Sequence, residues 1–173
     1  LKPKGIFAQK LEAMGLKVLS LDLKKKPGLK EIQKLAVLLH ELRPDIVHAI
    51  MYQAMQLCRA VRRLGYAEFK LISSPRVHYR TRGGLSLLVD RMLKSSDDLL
   101  ITECEASRKY LLEKLGYPES KVLRIYNGVD IAGWPISHLD RRKKREALGI
   151  GEDVTLLGAV GRLDEQKGHV YLL

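Results

Sequence analysis

The chain has 173 residues, 46% of them apolar and 29% charged, which suits a soluble globular protein of one domain or slightly more and excludes a disordered chain. No apolar run approaches the ~18 residues of a membrane-spanning helix, and no charged-then-apolar pattern of a secretion signal is present. A net charge of +11 favours polyanionic partners such as nucleotide phosphates or anionic lipid, whereas 6% aromatics, with no stacking rhythm among the cations, disfavour nucleic acid.

In chain order, Ile6, Phe7, Leu11 and Met14 outline a short amphipathic helix stopped by Gly15. Leu16 to Leu23 alternates apolar and polar residues and predicts a strand. After the break at Pro27-Gly28, Leu29, Ile32, Leu35, Ala36, Leu39 and Leu42 form a helical stripe that Pro44 ends. Asp45 to Ile50 is a β-branched run of the kind found in buried parallel strands. Gln53 to Leu64 predicts a helix burying Ala54, Leu57, Cys58, Val61 and Leu64. Phe69 to Ser73 predicts a strand that leads into a basic loop, Pro75 to Gly84, containing Arg76, His78, Arg80 and Arg82.

The alternation continues with a helix over Leu85–Leu93, a strand over Asp98–Thr102, a helix over Glu105–Leu115 and a strand over Lys121–Tyr126. Asn127-Gly128 predicts a turn. Strands and helices in this order predict an α/β fold, a Rossmann-like parallel sheet with helices on both faces. Asn127 to His138, with Gly133 and Trp134-Pro135, interrupts the rhythm and marks a boundary. Beyond it, Arg141 to Leu148 predicts a helix with a solvated basic face, Val154 to Val160 a buried strand, and His169 to Leu173 the opening of a further helix.

Cys58 and Cys104 stand far apart and in no metal or redox spacing, so reduced thiols and a cytoplasmic setting are expected. No spacing of His, Cys, Asp and Glu suggests a metal site. Asp45, Asp90, Asp97 and Asp98 form no acid/base pair and read as caps and solvated groups. His48 ends a strand and reads as a satisfied core histidine; His40 and His138 read as surface residues. The segment Gly161-Arg162-Leu163-Asp164-Glu165-Gln166-Lys167-Gly168 offers glycines for close backbone approach and two cations as charge-assisted donors to phosphate. Taken alone, it reads more readily as an ordinary strand-to-helix turn with solvated cations.

Five motifs occur in a telling order: Pro44-Asp45-Ile46-Val47-His48; Leu115-Gly116-Tyr117-Pro118 before Lys121-Val122; Asn127-Gly128-Val129-Asp130; Arg145 with Leu148-Gly149-Ile150; and Gly161-Arg162-Leu163 with Lys167-Gly168. From about Gly15 onward the chain resembles the group 1, family 4 retaining glycosyltransferases of the GT-B fold. The resemblance implies two Rossmann-like domains that face each other across a cleft, one for the acceptor and one for a nucleotide-diphosphate sugar. Residues 1–132 would be the acceptor-side domain, incomplete at its start, and 133–173 the truncated beginning of the nucleotide-sugar domain.

By the same resemblance Gly161, Arg162 and Lys167 would contact the donor diphosphate, with cations stabilising the leaving group and no metal or other cofactor required. Arg76 or His78 would face the cleft. Expected partners are a nucleotide-sugar donor and a glycan or lipid-linked acceptor. Peripheral contact with an anionic membrane on the cytoplasmic face is a further expectation. The chain departs from the family pattern in places. Its glycine-rich first loop and paired-glutamate motif would lie outside residues 1–173, so this stretch alone is expected to be inactive. Cys104 stands where serine is common, leaving Glu103-Cys104-Glu105 a local variant, and Ile50 stands where a second histidine is common. A nonenzymatic α/β nucleotide- or phosphate-binding module, or a degenerate transferase remnant, is the alternative.

Overall fold

The computed structural model describes residues 3–23, 27–76, 83–132 and 138–172. Lys24 to Lys26, the loop residues His78, Arg80 and Arg82, and Trp134-Pro135 lie outside the described residues. The chain divides into two compact units, Leu1–Asn127 and Gly128–Leu173.

The first unit is built on α1 (Ile6–Ala13), α2 (Leu29–Leu42), β1 (Ile46–Ile50), α3 (Tyr52–Arg63), β2 (Lys70–Ser74), α4 (Gly84–Leu93), β3 (Leu99–Thr102), α5 (Glu105–Glu113) and β4 (Val122–Arg124). The four strands form one parallel sheet in the order β1-β2-β3-β4, so each successive strand is added beside the last. Helices pack around it, which establishes the α/β, Rossmann-like class. The register sets Val47 beside Leu71, Ala49 beside Ser73, and Leu100 beside Val122.

Local sequence explains the helix limits. At the start of α2 the Gly28 N–H donates to Glu31 Oε2 at 2.9 Å, and that bond holds the carboxyl below its usual range. At its end Arg43 turns left-handed with φ 43°, its N–H bonded to the Leu39 carbonyl, before Pro44 prevents continuation. The apolar stripe of α2 packs on α3 and the first two strands: Ala36, Leu39, Ala49, Met55, Cys58, Val61, Phe69 and Leu71 are buried together. A second cluster joins Leu100, Leu111, Leu115, Tyr117 and Val122. Both cysteines are free thiols, and burial, with the Asp97 charge adding to it, pushes the Cys58 thiol up to about 11.

Between the clusters lies a polar hub that the sequence pattern does not signal. Arg59 is fully buried, as are Asp90 and Asp97, so these two aspartates are not the caps or solvated groups expected of them. Arg59 Nη1 reaches Asp90 Oδ1 at 2.6 Å, while its Nε and Nη2 donate to the two Asp97 oxygens at 3.0 and 2.7 Å. Ser73 Oγ and the Tyr117 hydroxyl donate to the same Asp97 carboxylate at 2.7 and 2.9 Å. Burial opposes the charge on Arg59, but the Asp97 hydrogen bonds and the charges of Asp97, Tyr117 and Asp90 outweigh it and raise the guanidinium pKa. Next to the hub, Asp98 pairs with Arg62 and accepts the Leu71 N–H at 2.8 Å, bonds that lower its pKa against the opposing effect of burial.

Two predicted strands are not formed. Leu16 to Leu23 and Val154 to Val160 have no ladder partner among the described residues, and Leu16, Leu19, Leu157 and Val160 are exposed. Alternating or continuous apolar residues specify which groups prefer burial, but a strand exists only where a neighbour completes its hydrogen bonds. Similarly, only alternate residues of β1 are covered, and Leu64 at the end of α3 is exposed.

The second unit contains α6 (His138–Ala147) followed by short 3₁₀ turns at Glu165–Lys167 and His169–Tyr171. The basic face of α6 is solvated at Arg141, Arg142, Lys143 and Lys144, as expected, but Arg145 is buried and donates to the Gly151 and Val154 carbonyls. Arg141 pairs with Glu152 at 2.5 Å. No helix among the described residues is long and apolar enough to cross a membrane.

Candidate functional site

Because all four strands run the same way, their carboxyl ends meet at one edge of the sheet. In open parallel α/β sheets ligands bind outside the carboxyl ends of the strands, among the loops that lead into the helices. Here it also carries backbone strain. Met51, directly after β1, has φ 72° and ψ 155°, and Arg76, two residues after β2, has φ 54°. Non-glycine residues avoid both conformations, which cluster at functional sites. Met51 is held there in part by its N–H, bonded to the Ser74 carbonyl at 2.8 Å.

Around these turns the edge presents polar groups from all four strands of the sheet. His48 Nε2 lies 2.8 Å from Ser74 Oγ. The imidazole is therefore satisfied, but on the exposed side of β1 and not in the core. Arg76 donates to Asn127 Oδ1, tying the loop after β2 to the loop after β4. Asn127, read from sequence as a turn residue, thus also has a side-chain role at this edge. After β3, Thr102 is fully buried and Glu103 partly so, and their Oγ1 and Oε2 atoms are buried with no hydrogen-bond partner among the described residues. Glu105, in contrast, is engaged by Arg108 and Arg124, and Arg124 stacks 4.7 Å from the Tyr126 ring centre. Of the two cleft-facing candidates, Arg76 stands at this edge and His78 lies outside the described residues. Sequence reasoning missed Glu103 because its signal is an unpaired buried oxygen, which only coordinates reveal.

The loop of the second unit is ordered by its own backbone. Lys167 N–H donates to the Asp164 carbonyl at 2.9 Å, Gly168 N–H to that of Glu165 at 3.0 Å, and Gly168 closes the turn with φ 64°. The Lys167 stem lies over Gly161: a β-carbon there would sit 3.5 Å from Lys167 Cγ and 3.6 Å from His169 Nε2. His169 Nε2 is 2.9 Å from the Arg162 carbonyl, to which the ring must donate. The fold thus brings Gly161, Lys167 and the Arg162 backbone together, with both cationic side chains exposed. Sequence reasoning passed over His169, which braces the loop. Among the described residues no group of three or more His, Cys, Asp and Glu could hold a metal ion.

A parallel α/β sheet with a strained, polar carboxyl edge defines a ligand-binding Rossmann-like class. The chain belongs to Glycosyltransferase Family 4, whose model matches residues 4–132. Among solved structures it is similar to a glycosyltransferase from Rickettsia africae ESF-5, with TM-score 0.68 and 18% identity over 98% of this chain and 45% of that one. It is also similar to Anabaena Alr3699/HepE in complex with UDP and glucose, with TM-score 0.64 and 22% identity over 84% of this chain and 40% of that one. The same Anabaena protein in complex with UDP-glucose gives TM-score 0.62 at the same identity and coverage. At these identities the likeness is one of fold, and the chain spans less than half the length of either protein. No curated protein matches the sequence.

Proposed function

We propose that this chain is part of a glycosyltransferase that moves a sugar from a nucleotide-diphosphate donor to a glycan, lipid-linked or small-molecule acceptor with retention. The family match across the sheet of the first unit is the observation that carries this reading. Solved relatives of the fold that hold UDP, glucose and UDP-glucose support a nucleotide-sugar donor. In this reading residues 1–132 serve the acceptor and 133–173 begin the donor-binding domain. Either Arg76, at the carboxyl edge, or His78 faces the cleft.

Arg162 and Lys167 neutralise the donor diphosphate, and Gly161 lets the backbone approach it. As the bond from the sugar C1 to the diphosphate oxygen breaks, negative charge grows on that oxygen. Fixed cations stabilise it more than they stabilise the ground state, with no metal required. The test is the Arg162→Ala/Lys167→Ala variant of the full-length protein, assayed against UDP- and GDP-sugars. Transfer should fall about a hundredfold or more. The melting temperature should hold, because both side chains are exposed. Wild-type turnover in that variant removes the assignment.

The exposed run Arg141, Arg142, Lys143 and Lys144 on α6 suits docking on an anionic membrane on the cytoplasmic face. The full-length protein should co-sediment with phosphatidylglycerol vesicles and not with phosphatidylcholine vesicles. Equal sedimentation with both excludes this docking.

A further inference from the structure

We propose that Glu103 is a carbohydrate-binding residue, reading hydroxyl groups of a sugar at the carboxyl end of β3. The assignment rests on the acceptor-side reading of the first unit and adds to it a specific residue and ligand chemistry.

β2 and β4 flank β3 on opposite sides and do not pair with each other. A bond between the loops that follow them must therefore pass over the end of β3, and the Arg76–Asn127 hydrogen bond is such a bond. The loop after β4 is drawn in further by the Ile125 N–H, which donates to the Thr102 carbonyl at 2.8 Å. Thr102 is the last residue of β3 and Glu103 the next, and both hold a buried side-chain oxygen with no partner among the described residues.

The chemistry of those atoms selects the ligand. An ionised carboxylate only accepts hydrogen bonds, so the shielded Glu103 oxygen needs a donor. Glu105, two residues on, already has its donors in Arg108 and Arg124. A phosphate or other anion is repelled by Glu103 itself. A cation is disfavoured by the Arg76 guanidinium spanning the site, and no metal-ligating cluster accompanies Glu103 among the described residues. A neutral hydroxyl meets neither objection. A sugar supplies adjacent hydroxyls for the carboxylate oxygens, and its ring hydroxyls also accept hydrogen bonds from the threonine hydroxyl or the guanidinium.

The test uses the full-length protein and saturation-transfer NMR with the methyl α-glycosides of glucose, mannose, galactose and N-acetylglucosamine. At least one should bind wild type, and Glu103→Ala should weaken it by about tenfold or more, since the lost bonds involve a charged group. Glu103→Gln keeps one acceptor oxygen and the side-chain shape. It should lose less, and it serves as the test should the alanine variant not fold. Absence of glycoside binding to wild type, or unchanged binding in a folded Glu103 variant, overturns the proposal. Turnover of nucleotide-sugars, measured in parallel, separates the two readings. Glu103-dependent glycoside binding without turnover keeps the sugar site and removes the transferase. Turnover with unchanged glycoside binding and acceptor KM in Glu103→Ala keeps the transferase and removes the sugar site.

Discussion

The two ends of the sheet in the first unit are built on opposite principles. Toward the amino end, and in the helical layer beside it, the buried and half-buried charges are paired: Arg59 with Asp90 and Asp97, and Arg62 with Asp98. Lys121 and Lys94 likewise donate to the carbonyls of Asp97 and of Leu115 and Gly116. At the carboxyl end Met51 and Arg76 are held at positive φ, as Arg43 is before β1 at the other end, and Thr102 and Glu103 each bury an oxygen with no partner among the described residues. One end fixes the positions of the elements. The other sets unspent hydrogen-bonding capacity beside strained turns, which is the arrangement expected of a binding edge on a rigid scaffold.

The sharpest way to break that contrast is at the amino end. Replacing Arg59 with Ala leaves Asp90 and Asp97 buried without their main counter-charge, and removing one member of a buried ionic group typically costs about 3–5 kcal/mol. Losses of that size are a large fraction of the ~5–15 kcal/mol that stabilises a typical domain. Urea unfolding followed by circular dichroism should therefore show a large fall in midpoint or no cooperative transition. The variant Arg59→Met/Asp90→Asn/Asp97→Asn removes the charges together and should be less damaged than Arg59→Ala alone. If Arg59→Ala unfolds within about 1 kcal/mol of wild type, the hub does not fix the scaffold.

The contrast was only partly legible in the sequence. Apolar periodicity located α2, α3, α5 and all four paired strands, because the buried face of each element repeats with its own period. Periodicity could not locate the hub. Arg59 sits between Cys58 and Ala60 on a helix with further arginines at Arg62 and Arg63, and nothing in that spacing tells a buried guanidinium from a solvated one. The partners come from 31 and 38 residues away, and a residue type alone does not reveal such pairings. Leu16 to Leu23 and Val154 to Val160 failed for a related reason: strand pairing is a property of two segments, and pattern describes one. At the candidate site, Arg76 follows from the family resemblance, which implies a cleft-facing residue in the loop after β2. Glu103 escaped because its environment, not its neighbours in sequence, sets it apart from Glu105.

A smaller effect tests whether the carboxyl end holds strain as described. Met51 is half exposed, so its side chain contributes little packing, while its φ and ψ fall in a region that glycine alone enters easily. Such strain costs about 1–3 kcal/mol, and glycine adds about 0.5–1 kcal/mol of unfolded-state entropy against folding. Met51→Gly should thus stabilise the protein by about 1 kcal/mol, seen as a rise of a few degrees in melting temperature. Met51→Ala keeps the Cβ and so the strain, and should change stability by less than about 0.5 kcal/mol. The difference between the two variants isolates the backbone from the side chain. Should glycine instead destabilise the protein more than alanine does, the turn after β1 is relaxed, and the edge owes its polar character to side chains alone.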